Sequence, residues 1–177
     1  MKKGIIVCTH ENNKDTYLPE CLKALEGIDI DIYTNTAENN HYEGGAILYG
    51  HRKYDEFWII PDTVIVKQPQ VLLDTLADTG VSYSAGPWFI SCIAKLRKEV
   101  LDEIGELTLP KDKVDAIYIE IDYLRLKYEA AEKHHVVLDD GFEDTQRFIY
   151  KFGQKRMVLE NDVFRKLKAT WDIASVL

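Results

Sequence analysis

The stretch Glu56–Lys67, EFWIIPDTVIVK, changes character in its middle. Its first half, Phe57–Ile60, is an unbroken apolar run, which is typical of a strand buried on both faces of a sheet. Pro61 cannot donate a ladder hydrogen bond, so we expect it to end the strand and Asp62 to follow just beyond the carboxyl end. Open α/β sheets bind their ligands at that edge. The alternative is a simple turn in which Asp62 bonds its own backbone.

The composition indicates one globular domain over residues 1–177, with 46% hydrophobic and 29% charged residues. No stretch is long and apolar enough for a membrane span, so we expect no membrane insertion. The amino terminus lacks the pattern of a secretory signal, which favours a cytoplasmic protein. Cys8, Cys21 and Cys92 show no C-x-x-C spacing, which argues against a zinc site, an iron-sulfur site or a disulfide framework.

The charge balance argues against general binding to nucleic acid. The chain has 22 basic and 30 acidic side chains, and its net charge is −8. The last quarter is nonetheless the most basic part, and its charges form either a solvated surface or a local basic patch. These basic residues are Lys151, Lys155, Arg156, Arg165, Lys166 and Lys168.

The order of elements predicts an α/β fold. A strand over Ile5–Thr9, a helix over 17–25 and a second strand over Ile28–Tyr33 make a unit whose two strands are parallel by right-handed crossover. We therefore predict a single domain with a mixed, mostly parallel sheet flanked by helices. Further predicted elements are helices over Glu43–Lys53, Pro69–Leu76, Lys98–Ile104 and most of Ile117–Ala131, strands over Val81–Ala85 and Val136–Leu138, and a last helix with Val163, Phe164, Leu167 and Trp171 on one face.

Several short motifs occur in an order that resembles the GT-A-fold glycosyltransferases, closest in pattern to the family-2 type. The resemblance covers about residues 4–138 and leaves 139–177 as a carboxyl-terminal extension on the acceptor or partner side. It rests on the opening strand and helix (Ile5–Leu25), the small-residue helix (Gly44–Gly50) leading into the strand before Asp62, the stretch Arg97–Gly105, and the acidic motif Glu120-Ile121-Asp122.

The resemblance implies an enzyme of the hexosyltransferase type. It would move a sugar from a nucleotide-sugar donor to an acceptor hydroxyl, with a divalent metal, Mn or Mg, and with inversion at the sugar carbon. Asp62 is the metal ligand in this interpretation, although the family's D-x-D motif keeps only its last acid here. Either Glu120 or Asp122 is the catalytic base. Two acids that begin a helix also suit the helix dipole, which is the structural alternative.

The remaining candidate residues follow from their places on the predicted elements. Thr9, Glu11 and Asn35 follow the first two strands and would line the nucleotide crevice. Gly45 and Arg52 lie on the donor-side helix, where Arg52 either contacts the diphosphate or is simply exposed. On the acceptor side, Trp88 either stacks on a sugar face or fills the core.

Two other functions stay open at this point. A degenerate GT-A-like module that binds a nucleotide or a partner without catalysis is favoured by the reduced metal motif, and a nucleotidyltransferase shares the same fold plan and metal chemistry. The acceptor is a saccharide, a protein or a modified nucleic-acid base. Because little chain remains for an acceptor domain, we expect a partner chain, a second copy in a homo-oligomer, or a large acceptor to complete the site.

Overall fold

A computed structural model describes residues 1–85, 93–116, 125–138, 143–151 and 153–169. It contains ten strands and six helices in these ranges, besides one 3-10 turn at Glu11–Asn13. The strands are β1 (Lys3–His10), β2 (Asp31–Asn35), β3 (Glu56–Pro61), β4 (Val64–Val66), β5 (Ser82–Ser84), β6 (Ala94–Arg97), β7 (His135–Val137), β8 (Glu143–Lys151), β9 (Gln154–Glu160) and β10 (Phe164–Ala169). The helices are α1 (Leu18–Ala24), α2 (Tyr42–Lys53), α3 (Pro69–Ala77), α4 (Lys98–Ile104), α5 (Lys113–Ala116) and α6 (Arg125–Ala131).

The main sheet has six strands in the order β2-β1-β3-β6-β5-β7. The β1–β2, β1–β3 and β5–β7 pairings are parallel, whereas β6 is antiparallel to both of its neighbours. Helices pack against this sheet, so the predicted mixed, mostly parallel α/β architecture is confirmed. None of the helices in the described ranges is long and apolar enough to cross a membrane.

Strand β3 is the centre of the sheet, and all six of its residues are buried. Trp58 and Ile60 face one core cluster, whereas Phe57 and Ile59 face the other. The Trp58 indole nitrogen donates to the Thr75 hydroxyl at 3.0 Å, which satisfies the one polar atom of this large side chain. The uninterrupted apolar run therefore has the cause inferred from the sequence, because a strand covered on both faces has no polar side.

Two helices have a proline in their first turn, and α2 packs closely on the sheet. Pro19 and Pro69 occupy the first turns of α1 and α3, where a missing amide hydrogen costs nothing. Helix α2 packs closely on β1 and β3 at Gly50. A methyl group at this position would lie 2.3 Å from the Phe57 ring, so only glycine allows this close approach. Strand β2 runs on to Asn35, beyond the predicted end of the second strand at Tyr33.

A second, antiparallel sheet has the order β4-β10-β9-β8 and joins the carboxyl-terminal chain to β4. The predicted last helix is wrong over the described residues, because Phe164–Ala169 is strand β10; Trp171 lies outside the described ranges. Phe164 packs in the cluster that contains Trp58, whereas Leu167 packs with Tyr17 and Val158. Phe164 and Leu167 are buried on opposite faces of β10, and their three-residue spacing also fits one face of a helix.

Candidate functional site

The carboxyl ends of five strands lie along one edge of the main sheet, called the carboxyl edge below. Strands β1, β2 and β3 are parallel, and β5 and β7 run in the same direction as β3 because β6 is antiparallel to both β3 and β5. The last residues of these strands are His10, Asn35, Pro61, Ser84 and Val137. Ligand sites of open α/β sheets lie at such an edge.

Thr9 and Asp62 form a buried pair at this edge. The Thr9 hydroxyl donates to Asp62 Oδ2 at 2.6 Å, and the two residues are only 3% and 5% exposed. The Asp62 amide donates to the Cys8 carbonyl at 2.8 Å, so the residue continues directly from the β1–β3 ladder. Asp62 therefore lies just beyond the end of β3, as the position of Pro61 predicts.

The pKa of the Asp62 carboxyl is raised above its usual range, chiefly because burial disfavours the charged form. Hydrogen bonds from the Thr9 and Asn13 side chains oppose this shift, whereas the negative charge of Glu43 adds to it. A cation beside Asp62 would act in the opposite direction and favour the carboxylate. The site is therefore electrostatically suited to a positively charged ligand.

Asn35 organises the chain between β2 and α2. Its side-chain nitrogen donates to the carbonyls of Thr9 and Tyr42, at 3.3 and 3.2 Å, and its oxygen accepts from the His41 amide at 3.0 Å. Asn35 is 3% exposed, so these bonds occupy an amide that has little access to solvent. The Asn35 side chain therefore fixes the backbone between β2 and α2. A nucleotide base in this crevice would be recognised by the backbone and side chains that Asn35 holds in place.

Glu11 joins the two loops that follow β1 and β2. The residue is exposed, and its Oε1 accepts a hydrogen bond from the Ala37 amide at 2.9 Å. The structure thus brings Thr9, Glu11, Asn35 and Asp62 to one edge, as the sequence predicts. All four are bonded to each other or to nearby backbone.

Helix α2 separates the two remaining donor-side candidates. An ideal Cβ on Gly45 would lie 2.3 Å from the Tyr33 hydroxyl oxygen, so its small size makes room for the sheet side of the helix. Arg52 is exposed in the last turn, ten residues beyond Tyr42. Ten residues of helix span about 15 Å, which carries Arg52 to the opposite end of the sheet and away from the carboxyl edge.

Three candidate residues lie outside the described ranges, namely Trp88, Glu120 and Asp122. Trp88 is three residues beyond Ala85, which follows β5 at the carboxyl edge and donates its amide to the Ile93 carbonyl at 3.0 Å. Glu120 and Asp122 fall between Ala116, the last residue of α5, and Arg125, the first residue of α6.

The two helices that flank residues 117–124 have their described contacts at different parts of the sheet. Helix α5 packs against α2, and the ring of His41, just before α2, lies 3.3 Å from the Pro110 carbonyl oxygen. Helix α6 is separated from β7 by three residues, and Tyr128 in its middle bonds to Ser82 and Arg97 at the amino edge of the sheet.

The fit of a divalent metal depends on Asp62. Among the residues that the structure describes, no three His, Cys, Asp or Glu side chains are grouped to hold a metal ion. Mg²⁺ and Mn²⁺ prefer oxygen ligands and are commonly held by one or two carboxylates together with substrate phosphates and water. Asp62 fits as one such carboxylate for a cation carried by a diphosphate.

A groove of about 590 Å³ lies at the opposite, amino edge of the sheet, beside Glu56 and Arg97. The Glu56 carboxylate in its wall is already paired with two ammonium groups. That of Lys95 is fully buried and lies 2.9 Å away, and that of Lys3 is partly exposed and lies 3.5 Å away. Both lysines also donate to carbonyls at the end of α3. These charges anchor a helix, and the groove is a weaker candidate than the carboxyl edge despite its volume.

Asn161 was not recognised from the sequence. It lies between β9 and β10, and its side-chain nitrogen donates to the Ala85 carbonyl at 2.8 Å while its oxygen accepts from the amides of Val163 and Phe164. The Asn-Asp pair at 161–162 is a visible turn signal. Its partner Ala85 is 76 residues away, and no local pattern predicts that contact.

Solved glycosyltransferase structures resemble this architecture at low identity. The catalytic domain of Drosophila β1,4-galactosyltransferase 7 in complex with xylobiose is 11% identical, with a TM-score of 0.50 over 99% of this chain and 97% of that one. A mutant of that enzyme with manganese, UDP-Gal and xylobiose is 10% identical, with a TM-score of 0.49 over 97% of both chains. A glycosyltransferase involved in the glycosylation of the PBCV-1 major capsid is 13% identical, with a TM-score of 0.43 over 77% of this chain and 82% of that one.

No protein-family model and no curated protein matches the sequence. At these identities the structural likeness establishes the fold alone, and the chain has the GT-A-like fold of glycosyltransferases. The narrower family-2 assignment stays a prediction.

Proposed function

We propose that this protein is a glycosyltransferase that moves a sugar from a nucleotide-sugar donor to an acceptor hydroxyl. The observation that carries the proposal is the meeting of Thr9, Glu11, Asn35 and Asp62 at the carboxyl edge of a GT-A-like fold. The nucleotide would lie in the crevice over β1 and β2, with the loops that Glu11 and Asn35 hold around it. The diphosphate would lie next to Asp62.

The reaction requires a metal ligand and a base from the chain's own residues. Asp62 would hold a Mn²⁺ or Mg²⁺ ion, which supplies compensation for the charge that develops on the leaving diphosphate. Glu120 or Asp122 would take the proton of the acceptor hydroxyl. The bond between the sugar carbon and the diphosphate oxygen breaks, a bond from the acceptor oxygen forms on the opposite face, and the configuration inverts.

Trp88 is the candidate residue on the acceptor side. Trp88 would stack on the acceptor sugar, because Ala85, three residues earlier, follows β5 at the same edge. A saccharide is the first acceptor class to test, followed by a protein and a modified nucleic-acid base. A second copy of the chain in a homo-oligomer, or a partner chain, would complete this side.

Calorimetric titration tests the donor site directly. The protein is titrated with UDP, GDP and CDP and with their common sugar conjugates, each with manganese and with EDTA. We expect one nucleotide to bind, and to bind more tightly with manganese. Asp62→Asn should remove the metal dependence, whereas Asp29→Asn, an exposed acid that precedes β2 near the amino edge, should not. Failure of every nucleotide to bind would refute the proposal.

The single carboxylate also favours a second candidate, a GT-A-like module that binds a nucleotide without catalysis. This alternative predicts nucleotide binding without release of free sugar or transfer to any acceptor. Release of nucleoside diphosphate from the bound sugar donor, with water as the acceptor, therefore separates the two candidates. A nucleotidyltransferase would instead release pyrophosphate from a nucleoside triphosphate and a sugar phosphate.

A further inference from the structure

The buried charges of the described chain are paired with opposite charges, with one exception. Four charged residues in the described ranges are buried, and three of them take part in ion pairs, Glu56 with Lys95 at 2.9 Å and Glu132 with Arg97 at 2.8 Å. The fourth is Asp62, which is 5% exposed and forms no ion pair with a described side chain. A buried charge is normally paired or bound to a metal. Asp62 thus has no charge compensation from the described chain.

The groups that bond to the Asp62 carboxyl are neutral donors. The Thr9 hydroxyl donates to Oδ2 at 2.6 Å, and the Asn13 side chain and the His10 amide also donate to this carboxyl. Such bonds favour the ionised form and orient its oxygens, but they bring no positive charge. The described chain therefore holds the carboxyl of Asp62 in a defined position and leaves its charge to be balanced by a bound cation.

Glu43, in the first turn of α2, brings a second carboxylate to the same place. The Asn35 side-chain nitrogen donates to the carbonyls of both Thr9 and Tyr42, at 3.3 and 3.2 Å, so the residue before Glu43 is fastened to the end of β1. The negative charge of Glu43 acts on Asp62 across this short distance and raises the pKa of its carboxyl. Glu43 is half-buried, and no ion pair or hydrogen bond joins its side chain to another described residue.

The helix dipole accounts for an acid in the first turn of α2, but not for its position beside a buried carboxylate. Two like charges repel, and more strongly where burial lowers the dielectric constant. A divalent cation bound by both acids would replace this repulsion with attraction, and Mg²⁺ and Mn²⁺ commonly take two carboxylates together with phosphate oxygens and water. We propose that Glu43 is the second protein carboxylate for the divalent cation that Asp62 holds; this inference rests on the proposed function.

The first test measures Mn²⁺ binding without any turnover. Mn²⁺ is titrated into the protein alone and into the protein with UDP, GDP or CDP, and free Mn²⁺ is followed by its EPR signal. Glu43→Gln should weaken Mn²⁺ binding by about ten-fold or more, because even an indirect partner of a metal ligand contributes that much. Glu38→Gln is the matched control, since Glu38 is an exposed acid in the loop just before α2. Its Mn²⁺ affinity should stay within about two-fold of the wild type.

The second test compares nucleotide affinity with Mn²⁺ and with EDTA. In Glu43→Gln the Kd of the nucleotide should rise with Mn²⁺ present, but with EDTA it should stay equal or fall by about two-fold, because a negative charge near the diphosphate has been removed. A role limited to the helix dipole would instead change both values alike.

Two results would overturn the inference. One is an equal change of the nucleotide Kd under both conditions, and the other is a Glu43→Gln variant, or a wild-type protein, whose Mn²⁺ binding is no different from that of the Glu38→Gln control or is absent. If the wild type binds Mn²⁺ through Glu43 and Asp62 but binds no nucleotide, the proposed function fails while the assignment of Glu43 stands.

Discussion

The Thr9–Asp62 pair gives a sharp test of the candidate donor site. Thr9→Val keeps the shape of the side chain and replaces the hydroxyl that donates to Asp62 Oδ2 at 2.6 Å. Hydrogen bonds to charged groups contribute about 1.5–3 kcal/mol. Because both residues are nearly inaccessible to solvent, water cannot readily replace the lost donor. We therefore expect the free energy of unfolding in urea to fall by about 2 kcal/mol at pH 7.

A double-mutant cycle isolates the pair from the general effect of the substitution. In an Asp62→Asn background the lost bond is between neutral groups, so Thr9→Val should cost about 1 kcal/mol and the coupling should be about 1 kcal/mol. The same variants are titrated with the nucleotide that binds. A cost below about 0.5 kcal/mol with no coupling would show that Asp62 does not depend on Thr9, and the described geometry of the site would be wrong.

The pH dependence of this pair has a definite sign. The folded pKa of Asp62 lies above its ordinary value of 3.8, mainly through burial, so above that pH the folded chain holds more proton than the unfolded chain. The contribution of this group to stability therefore falls as the pH rises from about 3.8 through the folded pKa. Thr9→Val removes a bond that lowers the pKa, so this decline should extend to higher pH. Thermal unfolding between pH 4 and 8 measures it.

Two further predictions concern packing and charge. Gly50→Ala places a methyl group 2.3 Å from the buried Phe57 ring, so we expect a loss of about 1–3 kcal/mol in urea unfolding, and an unchanged midpoint would contradict the close approach of α2 to β3. Burial alone would raise the pKa of Asp31, but hydrogen bonds from Lys53 and Tyr54 outweigh it and hold the pKa below 3.8. The stability from Asp31 is thus present above pH 3.8 and lost as the pH falls through its folded pKa, and the melting temperature of Asp31→Asn should depend less on pH in that range.

The sequence alone was sufficient to predict the elements whose local pattern has a single physical cause. Strand β3 is apolar because both faces are covered, and Pro61 ends it at the position that leaves Asp62 at the carboxyl edge. Pro69 begins α3, because the first turn of a helix loses no hydrogen bond when an amide hydrogen is missing. Patterns of this kind depend on neighbours in the chain, so one sequence is enough to interpret them.

The contacts that define the site were not predictable in the same way. The bond between Thr9 and Asp62 joins residues 53 positions apart, and that between Asn161 and Ala85 joins residues 76 apart. The structural reason for Gly45 likewise depends on the position of the Tyr33 hydroxyl, which a Cβ at residue 45 would approach to 2.3 Å. Such contacts follow from the tertiary arrangement, which local propensity does not predict.

The strands after residue 142 belong to the same packing as the site, although the sequence suggested an appended extension. Phe164 of β10 is fully buried, its ring lies 6.2 Å from that of Trp58 in β3, and β10 pairs with β4, which begins two residues after Asp62. Phe164→Ala should therefore cost about 3–5 kcal/mol in urea unfolding. Val136→Ala, at a half-exposed position on β7, should cost less than about 0.5 kcal/mol.

Comparing the unfolding free energies of Phe164→Ala and Val136→Ala shows whether β10 is part of the core or a dispensable addition. If Phe164→Ala costs no more than the Val136 control, β10 is a dispensable addition, and residues 139–177 serve only the acceptor or partner side. The expected large cost means that removing residues 139–177 would leave β4 without its strand partner and Trp58 without its aromatic neighbour. Because β4 follows Asp62 directly, a truncated chain should then lose donor binding together with its fold.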